Sequence, residues 1–310
     1  MWRTHLTGKP LCVVLGPTAV GKTGLAIELA QRIDAEIISA DSRQVYRDMD
    51  IGTAKPTAEQ QASVPHHLID IVDPDIDLTL AQVQRLAYAA IEVVLARGKL
   101  PLLVGGTGQY ISAIIDGWNI PAVPPNTALR ADLEAYASKT GAQALHDRLR
   151  AADPAAADAI PYQNIRRVIR ALEVCIEAGQ PISELQRKTP PPYDVVVYGL
   201  TLERDELYAQ ADRRVDQMIE SGFIDEVRGL IDLGYSRTLP SMSGLGYREL
   251  AAYISSETTL DEAITLTKNA THDFIRRQYT WFRRMGERVI WHNVRQVVVA
   301  DWLDALHRLS

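Results

Sequence analysis

Gly16, Gly21, Lys22 and Thr23 stand at fixed spacing in the stretch GPTAVGKT, positions 16–23. They match G-x-x-x-x-G-K-[ST], the loop that wraps a phosphate chain. The glycines let successive backbone N–H groups turn toward an anion, and the helix that follows adds its positive end. Lys22 supplies a point charge, and the Thr23 hydroxyl is a ligand for a divalent ion such as Mg²⁺. Pro17, Thr18, Ala19 and Val20 complete a loop suited to a diphosphate. The pattern recognises a di- or triphosphate without saying which group is transferred. Read from these residues alone, a P-loop small-molecule kinase is the first expectation.

The nearest carboxylate placed to work beside this loop is Asp41, which closes the apolar run EIISAD at 36–41. In many P-loop kinases and ATPases an apolar strand ends in an aspartate that orders the Mg²⁺ shell. Here LPLLVGGTG (100–108) ends in glycines and offers no such group. Ligands of open parallel sheets bind at the carboxyl ends of strands, which gives Asp41 access to whatever lies over the phosphate loop. The competing role for an aspartate there is a turn or helix cap. His66 and His67 have no Cys or His partner at ligand spacing, so a metal role is not expected; one packed and one hydrogen-bonded histidine is.

The elements that must position these residues follow from periodicity. Residues 11–16, 36–41 and 100–108 are short apolar runs, the last breaking into a glycine turn, the mark of buried parallel strands, and helical spacing separates them. Alternating strands and helices predict an α/β fold, a P-loop NTPase-like parallel sheet flanked by helices. The proline-rich stretches WNIPAVPPNTALR and KTPPPYD bracket alanine-rich helical segments. They predict an inserted helical domain at 119–193 within a catalytic core made of 1–118 and 194–310. After the strand VVVYGLTLE the chain reads as mostly helical, closing on a strand RVIWHN and a helix.

Composition bounds the setting. No run in the 310 residues approaches the ~18 apolar residues of a membrane span, and the N-terminus lacks an apolar leader. Two cysteines make no disulfide framework, so a cytoplasmic protein is expected, acting as a monomer and without a membrane partner. A net charge of −6 argues against a generally nucleic-acid-binding surface, but residues 266–295 carry seven basic side chains against Asp273 and Glu287. On a helix, Arg276 with Arg283 and Arg277 with Arg284 align two turns apart, with Tyr279, Trp281 and Phe282 between them. Basic rows interleaved with aromatics suit phosphate gripping and base stacking. An amphipathic helix with Phe274, Trp281 and Met285 in the core is the plainer reading, and the two are compatible.

GPTAVGKT, ISADSRQVYRDMDIGTAKP, PHHLIDI, GGTGQY, QNIRRVIRALEV, GLGYREL and RRQYTWFR, in this order, resemble the bacterial tRNA dimethylallyltransferase (tRNA isopentenyltransferase) family. The likeness runs from the first strand to about residue 292. The chain departs from the family pattern at His272, where arginine is usual, at Gln109, where an apolar residue is common, and at Asp48, where glycine is. The resemblance implies transfer of a dimethylallyl group from dimethylallyl diphosphate to N6 of the adenosine just 3′ of the anticodon, with release of pyrophosphate. It implies Asp41 as general base, Thr23 and Mg²⁺ at the leaving group, and Arg214 helping the pyrophosphate depart, with Arg213 a close competitor. Contacts to a tRNA anticodon stem-loop are implied for Asp41, Ser42, Arg43 and Gln44, and for Gln163, Asn164, Ile165, Arg166 and Arg167. They extend to Ser243, Gly244, Leu245, Gly246, Tyr247 and Arg248, and to Arg276, Arg277, Gln278, Tyr279, Thr280, Trp281, Phe282 and Arg283. Thr107 and Arg130 resemble single contact positions. A related enzyme group that prenylates free adenine nucleotides shares the phosphate loop and the strand-end aspartate, so those two features alone do not fix the acceptor.

Overall fold

The computed structural model describes residues 8–297 together with Val299 and Trp302. The helix expected at the C-terminus falls largely outside the described residues. The chain divides into two compact units, Met1–Ile115 with Pro192–Ser310, and Asp116–Pro191.

The first unit is an α/β sandwich. Its strands β1 (Lys9–Leu15), β2 (Ala35–Ser39), β3 (His66–His67), β4 (Leu100–Gly105), β5 (Tyr193–Thr201) and β6 (Val289–Asn293) form one sheet in the order β3-β2-β4-β1-β5-β6. Every pairing is parallel. Strands β2 and β4 are buried along their whole length, which is why they read as unbroken apolar runs rather than as alternation. Helices α1 (Lys22–Ile33), α2 (Ala58–Ser63), α3 (Leu80–Ala96) and α4 (Gly108–Ile115) follow the first four strands in turn. Successive side chains of β1 point to opposite faces. Cys12 and Val14 pack with Ala26 and Leu29 of α1, while Leu11, Val13 and Leu15 pack with Ile91 of α3 and Ile111 of α4.

The second unit holds α5 (Thr127–Thr140), α6 (Ala142–Ala152), α7 (Pro154–Ala159), α8 (Ile165–Ala178) and α9 (Ile182–Leu185). It has its own core of Leu133, Leu145, Leu149, Val168 and Leu172. Back in the first unit come α10 (Arg204–Glu220), α11 (Phe223–Asp232), α12 (Tyr247–Ile254) and α13 (Leu260–Phe282). Phe223, Val227, Tyr247 and Leu250 make a further apolar cluster with Val45, Tyr46 and Met49 from the loop after β2.

Candidate active site

The phosphate loop is the turn between β1 and α1. Gly21, the N-cap of α1, has φ +99°, a conformation that a side chain resists. Gly16 lies so close to the neighbouring strand that a Cβ there would sit 2.8 Å from the Leu200 carbonyl oxygen. One loop amide is already used: Thr18 N donates to Gln278 Oε1 at 2.9 Å. Gln278 Nε2 in turn donates to the Gly106 carbonyl at 2.9 Å, so this buried amide ties the loops after β1 and β4 together.

Asp41 stands just beyond β2, and only β4 separates β2 from β1. Gly105 and Gly106 at the end of β4 put no side chain between the carboxylate and the phosphate loop. The glycines that left this strand without an aspartate are thus part of how the site is opened. Asp41 Oδ1 accepts the amides of Arg43 at 2.8 Å and Gln44 at 3.4 Å, the turn-capping role weighed above. Its Oδ2 accepts no hydrogen bond among the described residues and is available to a substrate. The two roles coexist on different oxygens.

A cavity joins these groups, lined by Thr18, Lys22, Thr23, Asp41, Gln44 and Arg214 with apolar wall from Ala26, Ile37 and Val104. Arg214 projects from α10 into it, and also into an outer space of about 490 Å³ over Gly21, Lys22 and Thr23. Arg213 is exposed and lines that outer space but not the cavity that holds Asp41. Adjacent helical residues diverge by about 100°, so only one of the pair can face the carboxylate. The geometry favours Arg214.

The cations outnumber the anion here. Lys22 is half-buried, with its ammonium folded under the loop onto the Pro17 carbonyl at 2.7 Å. Burial and then the nearby Arg214 push this ammonium down to about 7, against the opposing pull of Asp41. Burial also lowers the Arg214 guanidinium from its ordinary range, with Asp41 again opposing. Two cations facing one carboxylate form a site short of negative charge, which a diphosphate supplies. Diphosphate binding should therefore restore the proton on Lys22. Affinity for a diphosphate is expected to be level below pH 7 and to fall by up to about tenfold per unit above it. Lys22→Arg stays charged throughout and should lose that fall. Calorimetry in buffers of different ionisation enthalpy reads the proton uptake directly; its absence at pH 8 would contradict this account.

The remaining expected contact residues divide by exposure. Thr107 Oγ1 accepts Ser42 N at 3.1 Å. Arg43 donates to the Pro240 carbonyl, and to Ser243 Oγ at 3.1 Å, so the 41–44 and 243–248 segments are brought together. Gln44 is committed to the backbone at Thr53 and Ala54. Ser243 and Arg248 are exposed and Leu245 half-buried, but Gly244, Gly246 and Tyr247 are buried. On the second unit Gln163, Asn164, Ile165, Arg166 and Arg167 are all exposed, with Asn164 capping α8 through Arg167 N at 3.3 Å. Arg130 is held by the buried Glu173 through two hydrogen bonds of 2.8 Å. Burial raises Glu173, but hydrogen bonds from Arg130, Arg170 and Asn126 N outweigh it and bring the carboxyl down to about 2.

In the 276–283 segment Arg276, Arg277, Thr280 and Arg283 are exposed. Phe282 is fully buried, Tyr279 binds Thr201 Oγ1 at 3.0 Å, and Trp281 Nε1 donates to Ser112 Oγ at 3.0 Å. Of the two arginine pairs expected to align over two turns, the second needs correction. Helix α13 ends at Phe282, and residues 283–288 continue as a tighter 3₁₀ turn kinked at Gly286. Arg283 still closes an α-helical bond to the Tyr279 carbonyl, so it keeps the register of Arg276, and only Arg284, inside the 3₁₀ turn, departs from that of Arg277; all four are exposed. Arg276 pairs with Asp273; Arg277, Arg283 and Arg284 have no carboxylate partner among the described residues. His272 stacks on Tyr208 and binds Asp212 at 2.8 Å.

Both neighbouring histidines are hydrogen-bonded, where only one was expected to be: His66 Nδ1 to the Val64 carbonyl at 2.7 Å and His67 Nε2 to Glu36 at 2.8 Å. Among the described residues no three His, Cys, Asp or Glu side chains cluster to hold a metal. The oxygen-bearing side chains lining the cavity are Thr18, Thr23, Ser39, Asp41, Gln44 and Thr53, with Asp41 the one carboxylate among them. That set, with its single carboxylate, fits Mg²⁺, which keeps waters and takes its other ligands from substrate phosphates. Among the described residues no helix is long and apolar enough to cross a membrane.

A glycine-rich G-x-x-x-x-G-K-T turn, an arginine over it and a carboxylate one strand away form a site suited to an enzyme acting on a phosphate ester. The sequence pattern of the IPP transferase family matches residues 44–285, and that of Isopentenyl transferase matches 10–71. The chain belongs to the IPP transferase family. It is 54% identical over 303 residues to the tRNA dimethylallyltransferase of Roseiflexus sp. (strain RS-1), covering 96% of this chain and 99% of that one. The Thermomicrobium roseum protein of the same name is 49% identical, covering 96% and 89%. Among solved structures, the Bacillus halodurans tRNA isopentenylpyrophosphate transferase superposes with TM-score 0.71 at 45% identity, covering 97% and 95% of the chains. A eukaryotic dimethylallyltransferase acting on tRNA superposes with TM-score 0.80 at 26% identity, covering 95% and 75%.

Proposed function

We propose that the protein transfers a dimethylallyl group from dimethylallyl diphosphate to N6 of the adenosine immediately 3′ of the anticodon in tRNA. The observation that carries this reading is the pairing of a cation-rich phosphate loop with the free Oδ2 of Asp41, in a chain of the IPP transferase family. The N6 lone pair attacks the allylic C1 and the C1–O bond breaks. Its electron pair leaves with pyrophosphate, and the N6 proton passes to Asp41 Oδ2. An adenine amine is a weak nucleophile because its lone pair is delocalised into the ring, so a base at hydrogen-bond reach is needed as the C–N bond forms. Loop amides, Lys22 and Arg214 hold the leaving diphosphate, where fixed charges stabilise what develops in the transition state. Mg²⁺, held by Thr23 and the diphosphate oxygens, would neutralise further charge there.

Exposed groups suited to the acceptor are Gln163, Arg166 and Arg167 on the second unit and, separately, Arg277 and Arg283 on the first. Buried members of the same segments, such as Gln278, Tyr247 and Phe282, support that surface from within. The kinase alternative requires ATP, so one assay tests the reading. The protein is incubated with dimethylallyl diphosphate and an anticodon stem-loop, without ATP, and product is measured by mass spectrometry. One prenyl mass gain per adenosine with equimolar pyrophosphate is expected; dependence on ATP would overturn it.

A further inference from the structure

We infer that Glu226, on α11, is a positioning residue that sets the presentation of Asp41. The inference rests on the reading of Asp41 as base. Glu226 is half-buried, and four donors converge on its carboxylate. Oε2 accepts Asp50 N at 2.9 Å and Ile51 N at 2.7 Å. Oε1 accepts Gly52 N at 3.1 Å and the Tyr247 hydroxyl at 2.6 Å. Three successive amides turned onto one anion form a nest, and only an acceptor-only group with several lone pairs satisfies all four donors at once. The fit is close: a Cβ on Gly52 would lie 2.2 Å from the Phe223 ring.

The clamped loop leads to the base. Directly after Gly52, the carbonyls of Thr53 and Ala54 accept Gln44 Nε2 at 3.4 and 3.2 Å. Gln44 Oε1 accepts Ser39 Oγ at 2.9 Å, which fixes which way the amide points. The Gln44 backbone amide then binds Asp41 Oδ1 at 3.4 Å. Thr53 and Ala54 also line the cavity itself. A carboxylate 174 to 176 residues away in sequence thus fixes a loop, the loop fixes a glutamine, and the glutamine helps orient the base. Tyr247 links the same carboxylate to the 243–248 segment that the functional reading places at the RNA.

Glu226→Gln keeps the size of the side chain but turns an NH₂ toward amide donors, so the loop must shift. In the full chain, kcat is expected to fall at least about tenfold, with KM for both substrates within about threefold of wild type. Gln44→Ala should also lower kcat. Because both residues act along one path, the double variant should be no slower than the slower single one. A kcat for Glu226→Gln within twofold of wild type, or losses that multiply in the double variant, would overturn the inference. Tyr247→Phe removes one bond of the four and keeps the ring in the core, so it decides the matter if Glu226→Gln does not fold. A two- to fivefold fall in kcat at constant KM supports the inference, and an unchanged kcat ends it. Wild-type transfer and the Asp41 variants test the underlying reading separately, so the two failures are distinguishable.

Discussion

Asp41→Asn is expected to lower kcat by about 10² to 10⁴ while tRNA affinity stays within several-fold of wild type. The structure recommends asparagine rather than alanine. Oδ1 of Asp41 caps the turn through Arg43 N and Gln44 N, and an asparagine oxygen keeps both bonds. The other oxygen, free of protein partners among the described residues, becomes an NH₂ that cannot take a proton from N6. Asparagine therefore removes the base and leaves the turn. Alanine removes both and confounds lost chemistry with a shifted loop. Single-turnover transfer at saturating donor and stem-loop reads the chemical step, and a separate binding measurement reads the affinity. Retention of a tenth of wild-type turnover by Asp41→Asn would take the base role away from this residue.

What could be read from the sequence was what is local. The phosphate loop is contiguous, and its glycines answer a backbone demand within eight residues: Gly21 at φ +99° is the clearest case. Asp41 was legible because it ends an apolar run, and strands that are buried throughout declare themselves by composition. Strand β3 was not legible, since two residues, His66 and His67, are too few to set up a pattern. The tying roles of Gln278 and Glu226 were not legible for a different reason. Their partners lie 260 and about 175 residues away, and nothing beside either residue marks it as a tie between loops. Gln278, Tyr247 and Phe282, which the resemblance places among tRNA contacts, are buried, and a motif does not distinguish an exposed side chain from one beneath the surface. Burial makes that distinction. Likewise Arg213 and Arg214 are neighbours in sequence, and only the face each turns toward Lys22 separates them.

The second large effect expected concerns the acceptor. Free AMP should be used with a kcat/KM lower by about three orders of magnitude or more than an anticodon stem-loop. The phosphate loop, Asp41 and Arg214 offer nothing that would reject AMP, so the discrimination must come from elsewhere. The target base is stacked in its loop, and extruding it costs about a few kcal/mol that AMP never has to meet. Remote contacts must more than offset that cost. The structure supplies candidates on both units: Gln163, Arg166 and Arg167 are exposed around the start of α8, and Arg277, Arg283 and Arg284 are exposed without carboxylate partners among the described residues. Single-stranded loops are where RNA sequence is read, through base edges and stacking, so a changed base just 5′ of the target adenosine should also reduce transfer. Binding energy spent far from the reacting atoms also aligns N6 with the allylic carbon, which a small nucleotide held by its own phosphate cannot match. The decisive comparison is kcat/KM for AMP, for the stem-loop, and for the stem-loop altered at the preceding base. Similar values for AMP and the intact stem-loop would mean that the exposed arginines do not serve the acceptor, and the residues at the start of α8 would then need another explanation.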